Sequence, residues 1–221
     1  MRSIPLHLSL YILSEKSALM KDVTLIVGDS TIARMDASVV ENAFAGTVLN
    51  LAVSGQTTEE LINNLAQSSP PQESYNTVVV VTGKNDYFSK PVVNINHHLH
   101  HCITEIRSIV GKGTRLFIVG IGCRACACDN PTVAARSTSS YSTCSSNRRV
   151  KPCCDTMEGK RKLWSNTFNT CLASLSTTYG FQYIPSPTGV DGWTWDDGIH
   201  LAATEHKRYI GHIAARVAAK D

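Results

Sequence analysis

Ser30 stands where an apolar run, VTLIVGD (23–29), gives way to a helical pattern. Far along the chain, WDDGIHL (195–201) places two residues between Asp197 and His200. Two further segments, AVSGQTT (52–58) and TGKND (82–86), contribute Gly55 and Asn85. These residue types suit acyl transfer. A serine hydroxyl is a poor nucleophile until a base such as His200 takes its proton. The imidazole needs an acceptor on its other nitrogen, which Asp197 can reach from the same short loop; Asp196 adjoins it, but the two-residue spacing favours Asp197. The tetrahedral intermediate needs preorganised donors, and the Ser30 and Gly55 N–H groups with the Asn85 amide would supply three. A glycine at 55 lets backbone approach substrate closely. Position alone leaves a plainer role for Ser30, that of a helix N-cap.

The elements that must position these residues are legible as periodicity. Apolar, β-branched runs at 23–29, 47–53, 76–83, 114–122 and 181–185 read as strands, and their near-continuous apolar character fits strands covered on both faces. Between them, TTEELINNLAQ (57–67) opens with a threonine cap and an acidic first turn. Val92, Ile95, Leu99, Cys102, Ile106 and Ile109 form one helical stripe, Trp164, Phe168, Cys171, Leu172 and Leu175 another, and Ile210, Ile213, Ala214 and Val217 a third. Strand–helix alternation predicts a three-layer α/β/α sandwich, flavodoxin-like, with a parallel sheet of about five strands. In such sheets ligands bind at the carboxyl edge. Three strand ends and one late loop bring the candidate residues to that edge.

Taken in order, G-D-S, an isolated glycine after the second strand, G-x-N-D and D-x-x-H, spread over residues 23–203, resemble the SGNH (GDSL) hydrolase family. The resemblance implies that Ser30 and His200 react, Asp197 orients the histidine, and Ser30, Gly55 and Asn85 form an oxyanion hole. It also implies an ester hydrolase that requires no cofactor for catalysis. Lys84 fills the variable position of G-x-N-D and brings positive charge to the rim, and Trp195 offers a ring to line the pocket, so both are expected to bind substrate. Many family members carry a polar residue and a later glycine after D-x-x-H-L. Here Ala202-Ala203-Thr204-Glu205 occupies that place, predicting a different start to the last helix.

The polar loops favour a short acyl group, such as acetyl on a carbohydrate. A lysophospholipase-like or thioesterase activity would use the same machinery. A different class of reading is a non-catalytic domain of this fold that binds nucleic acid or a protein partner through a basic insert. The chain has 221 residues, 43% of them hydrophobic, and a formal net charge of +3, which fits a single domain over 1–221 and demands no nucleic acid. No apolar run reaches the roughly 20 residues that span a bilayer. The leading MRSIPLHLSLYILSEKSALM has the length of a signal peptide, but His7 interrupts it and no small-residue cleavage site follows, so it reads as a segment packed on the domain.

Residues 123–158 break the rhythm. They hold six of the eight cysteines, Cys123, Cys126, Cys128, Cys144, Cys153 and Cys154, in a polar, aperiodic insert after the fourth strand. Two chemistries would staple it: disulfides, implying a secreted chain, or structural zinc, implying a cytoplasmic one. Its place near the rim makes it a candidate lid. The basic RRVK (148–151) and KRK (160–162) read as a solvated region. His97 and His101, at i and i+4, fall on the polar side of the Leu99 stripe and read as a solvated face rather than a metal site. Gly120-x-Gly122-x-x-Ala125 imitates a dinucleotide fingerprint, but no helix start follows it. Neither GxSxG nor HExxH occurs. Oligomeric state leaves no mark in the sequence.

Overall fold

The structure, a computed structural model, describes residues 23–68, 75–122, 157–189, 192–195 and 200–219. Among them five strands form one sheet: β1 (Val23–Gly28), β2 (Thr47–Asn50), β3 (Thr77–Val81), β4 (Arg115–Val119) and β5 (Gln182–Ile184), in the order β2-β1-β3-β4-β5. Every neighbouring pair is parallel. The register sets Gly28 against Val81, so β1 and β3 end side by side. The order reverses between these two strands, which opens a crevice at their carboxyl ends.

Alternation along the strands builds two cores. Val23, Leu25, Val27, Val78, Val80, Leu116 and Ile118 face one side, under α3 (Thr58–Ser68), α4 (Ile95–Val110) and α5 (Met157–Tyr179). Ile26, Val79, Val81, Phe117 and Val119 face the other, under α1 (Ser30–Ala33), α2 (Ala37–Glu41) and α6 (Ala203–Ala218). The predicted sandwich is therefore present, and each helical stripe read from the sequence packs onto the sheet. β1, β3 and most of β4 are buried on both faces, as near-continuous apolar character requires.

The strands are shorter than their apolar runs, because the last residues of each run leave the ladder at the carboxyl edge. β2 departs from expectation in burial too: Thr47 and Asn50 are exposed and Val48 and Leu49 only half-buried, since it closes one edge of the sheet. A 3₁₀ turn, Val92–Asn94, precedes α4, so the predicted 92–110 helix starts at Ile95. α3 opens on a reciprocal capping box, in which the Glu60 carboxylate accepts from the Thr57 N–H (2.8 Å) and the Glu60 N–H donates to Thr57 Oγ1 (3.3 Å). The leading segment, the cysteine-rich insert as far as residue 156, and Asp197 lie outside the described residues. Among those described, no helix is long and apolar enough to cross a membrane.

Candidate active site

Ser30 is the first residue of α1, directly after β1, and it is not the cap. Asp29 takes that role: its Oδ1 accepts from the Thr31 N–H (2.8 Å), and its own N–H donates to Val81 O (2.9 Å) across the end of the sheet. With Asp29 fixing the turn, the Ser30 hydroxyl is left to other partners. His200 lies just after the loop 192–195 and just before α6. Its Nε2 is 3.1 Å from Ser30 Oγ, within hydrogen-bond reach, across 170 residues of sequence. A hydroxyl and an imidazole are thus paired at the carboxyl edge, a pairing that can serve as nucleophile and base.

An antiparallel bridge joins Trp195 to Leu201, and the Ala202 N–H donates to Thr194 O (3.0 Å). Ala202 occupies the cap position of α6 with no side-chain hydrogen bond. In its first turn the half-buried Glu205 N–H donates to Ala202 O (2.8 Å). Lys84 Nζ lies 5.4 Å above the Trp195 ring, so the two expected substrate-binding residues meet each other. Trp193 packs edge-on against Tyr209 and under the Arg208 guanidinium.

Gly55 and Asn85 arrive on the loops after β2 and β3. Gly55 has φ of +85°, and a Cβ there would meet nothing within 4 Å; its glycine answers a backbone conformation rather than crowding. Asn85 Nδ2 donates to Gln56 O (2.9 Å). Because a carbonyl can only accept, this bond sets which end of the Asn85 amide is the donor.

Three groups given no role by the sequence hold the loops at this edge. Gln56 is buried and its Nε2 donates to Gly28 O (2.7 Å). Asp86, fully buried, accepts the Thr58 N–H at the start of α3 (2.9 Å) and the Thr58 hydroxyl, and lies 3.4 Å from His98 Nε2. Asn169 on α5 makes two amide bonds to the Ile121 peptide, to its N–H (2.8 Å) and its carbonyl (2.9 Å). Asp86 and Gln56 both lie within quoted motifs. What hid their roles is that side-chain bonds to distant backbone leave no periodicity.

His97 and His101 are exposed, and His101 lies 3.5 Å from Glu105 on its own helix. Among the described residues no group of three or more metal-ligating side chains assembles. The Gly122 of the dinucleotide-like pattern is needed for packing, since a Cβ there would collide with the Thr188 hydroxyl. Cys102 is buried in the α4 stripe, where burial first and the nearby Asp86 second push its thiol up to about 12.

Comparison with known proteins now bears on this geometry. Among solved structures the chain is similar to Est24, a carbohydrate acetylesterase from Sinorhizobium meliloti, with TM-score 0.59 at 15% identity, covering 90% of this chain and 99% of that one. It is similar to the native aryl esterase of M. smegmatis, with TM-score 0.58 at 14% identity over 89% and 98% of the two chains. TesA gives TM-score 0.57 at 17% identity over 89% and 98%. At these identities the likeness speaks for the fold. A search of curated proteins found no match. The sequence itself matches the family model described as GDSL-like Lipase/Acylhydrolase over residues 24–213, a span that takes in Ser30, Gly55, Asn85 and His200 alike. The chain therefore belongs to the GDSL-like lipase/acylhydrolase family of ester hydrolases.

Proposed function

We propose that the protein hydrolyses a short-acyl carboxylic ester through an acyl–serine intermediate. The observation that carries this reading is the 3.1 Å approach of His200 Nε2 to Ser30 Oγ at the carboxyl edge of the sheet. Ser30 Oγ attacks the ester carbonyl while His200 takes its proton; collapse of the tetrahedral intermediate expels the alcohol, which leaves with that proton. Water then repeats the sequence on the acyl–serine. Asp197 is assigned to orient the imidazole, on its spacing from His200. The Ser30 and Gly55 N–H groups with Asn85 Nδ2 are assigned to the oxyanion. No step calls for a metal or cofactor.

Lys84 and Trp195 are assigned to substrate, as a cation and ring that meet beside Asn85. The insert at 123–158 is assigned to the rim, since it leaves the carboxyl end of β4. An acetyl ester of a carbohydrate is favoured by the polar loops, and the likeness to a carbohydrate acetylesterase agrees with it.

The test is turnover of p-nitrophenyl esters from acetyl to long acyl, wild type beside Ser30→Ala. The expected result is a preference for acetyl and a loss of at least about 10³-fold in kcat for the variant. Near-normal turnover by Ser30→Ala would remove the acyl–serine mechanism, and a preference for long chains would replace the acetyl assignment with a lipid one.

A further inference from the structure

Gln56 makes three hydrogen bonds to three different parts of the site. Its side-chain Nε2 donates to Gly28 O (2.7 Å), at the end of β1 and two residues before Ser30. Its Oε1 accepts from Asn64 Nδ2 on α3 (2.8 Å). Its main-chain carbonyl accepts from Asn85 Nδ2 (2.9 Å). The amide orientation follows from its partners: Gly28 O can only accept, so nitrogen faces it, and oxygen is left for Asn64. Gly28 O also accepts from the Val53 N–H (2.9 Å). The segment carrying Gly55 is thus anchored to the same carbonyl on both sides of the glycine.

We propose that Gln56 is a positioning residue that fixes the three oxyanion donors relative to one another. This rests on the acyl–serine reading above. Through Gly28 it sets where Ser30 leaves the sheet. As the neighbour of Gly55 it holds the peptide that presents that N–H. Through its carbonyl it engages Asn85 Nδ2, turning the second amide hydrogen to a set direction. Donors to an oxyanion must sit within a few tenths of an ångström of their place, and displacement by 1 Å costs on the order of 100-fold in rate. A buried side chain with both amide atoms satisfied is suited to hold such tolerances.

The test uses two substitutions of nearly conserved length, each read as kcat and KM on an acetyl ester. Gln56→Met removes donor and acceptor, and kcat is expected to fall roughly 10- to 100-fold with KM changed by less than about threefold. Gln56→Glu places a carboxylate against Gly28 O, with a comparable loss at pH 8. As pH is lowered, the ratio of Gln56→Glu to wild-type kcat should rise, because the protonated carboxyl regains a donor and a buried carboxyl set against the Gly28 carbonyl holds its proton more tightly. The ratio cancels whatever pH dependence the two enzymes share. A pH-independent ratio, or Gln56→Met within about twofold of wild type in kcat, overturns the proposal.

If neither variant melts cooperatively, Asn64→Ala on the half-buried side of α3 carries the test: kcat reduced several-fold at constant KM supports it, and unchanged kcat overturns it. Ser30→Ala run alongside separates the two levels. Retained turnover there defeats the acyl–serine reading itself, whereas a dead Ser30→Ala beside normal Gln56 variants defeats only the positioning role.

Discussion

Gly55 and Gly83 flank the site on adjacent loops, both with left-handed backbone, yet they are glycines for different reasons. At Gly55 the φ of +85° is the whole constraint, since a Cβ would enter open space. Gly55→Ala should therefore cost about 1 kcal/mol of stability, the conformational penalty alone. At Gly83, with φ of +111°, a Cβ would also stand 2.6 Å from the Phe168 ring and 2.7 Å from Ile121 Cδ1, inside the core. Gly83→Ala should cost roughly 2 kcal/mol more, the overpacking added to the strain, as read from urea unfolding of both variants. Equal costs would show that the Phe168 side of the loop yields freely. Residue by residue, the site was legible where chemistry constrains type: the serine and the histidine are now 3.1 Å apart. What could not be read was which neighbour does the capping. Asp29 and Ser30 have similar capping preferences, and only the Thr31 N–H bond to Asp29 shows that the aspartate took the task.

Elements carry these residues, and α3 shows how one is held. Its own sequence supplies the Thr57–Glu60 capping box, which was readable from TTEE. The second anchor comes from outside: Asp86, after β3, receives the Thr58 N–H and hydroxyl at the helix's positive end. Asp86→Ala strands that N–H and should destabilise the fold by about 3 kcal/mol. Asp86→Asn keeps an acceptor for it and should cost clearly less. A thermal melt in which the two variants coincide would mean that a neutral acceptor at this place adds nothing to α3. Helix and strand existence followed from apolar period, because burial imposes period. Strand ends did not, since the apolar run continues past the last ladder bond into the loops of the site. The edge position of β2 was equally invisible, because strand order is a property of the pairing and not of any one strand.

The molecule as a whole stacks two apolar cores against a parallel sheet, and this architecture sets how its stability responds to alkali. Several protons are held more tightly folded than unfolded. Cys102, between α4 and the sheet, is raised to about 12 chiefly by burial, and burial likewise raises Cys171, Tyr183 and Tyr209. A raised folded pKa contributes stability that is complete below the unfolded pKa and is lost as pH climbs toward the folded one. For a thiol that window opens near pH 8.5 and for a phenol near 10. Unfolding free energy should then be level from about pH 7 to 8.5 and fall above pH 9. Each retained proton contributes up to about 1.4 kcal/mol per pH unit to the slope. Cys102→Val isolates one of them. It removes the thiol from a site that is 1% exposed and roughly conserves volume, so whatever it costs at pH 8, its stability should decline less steeply between pH 9 and 11. Urea titrations under reducing conditions would show the two curves converging as pH rises. Curves that stay parallel would mean that the Cys102 thiol titrates in the folded protein as it does in the unfolded chain, by a local opening of α4 that lets hydroxide reach the core.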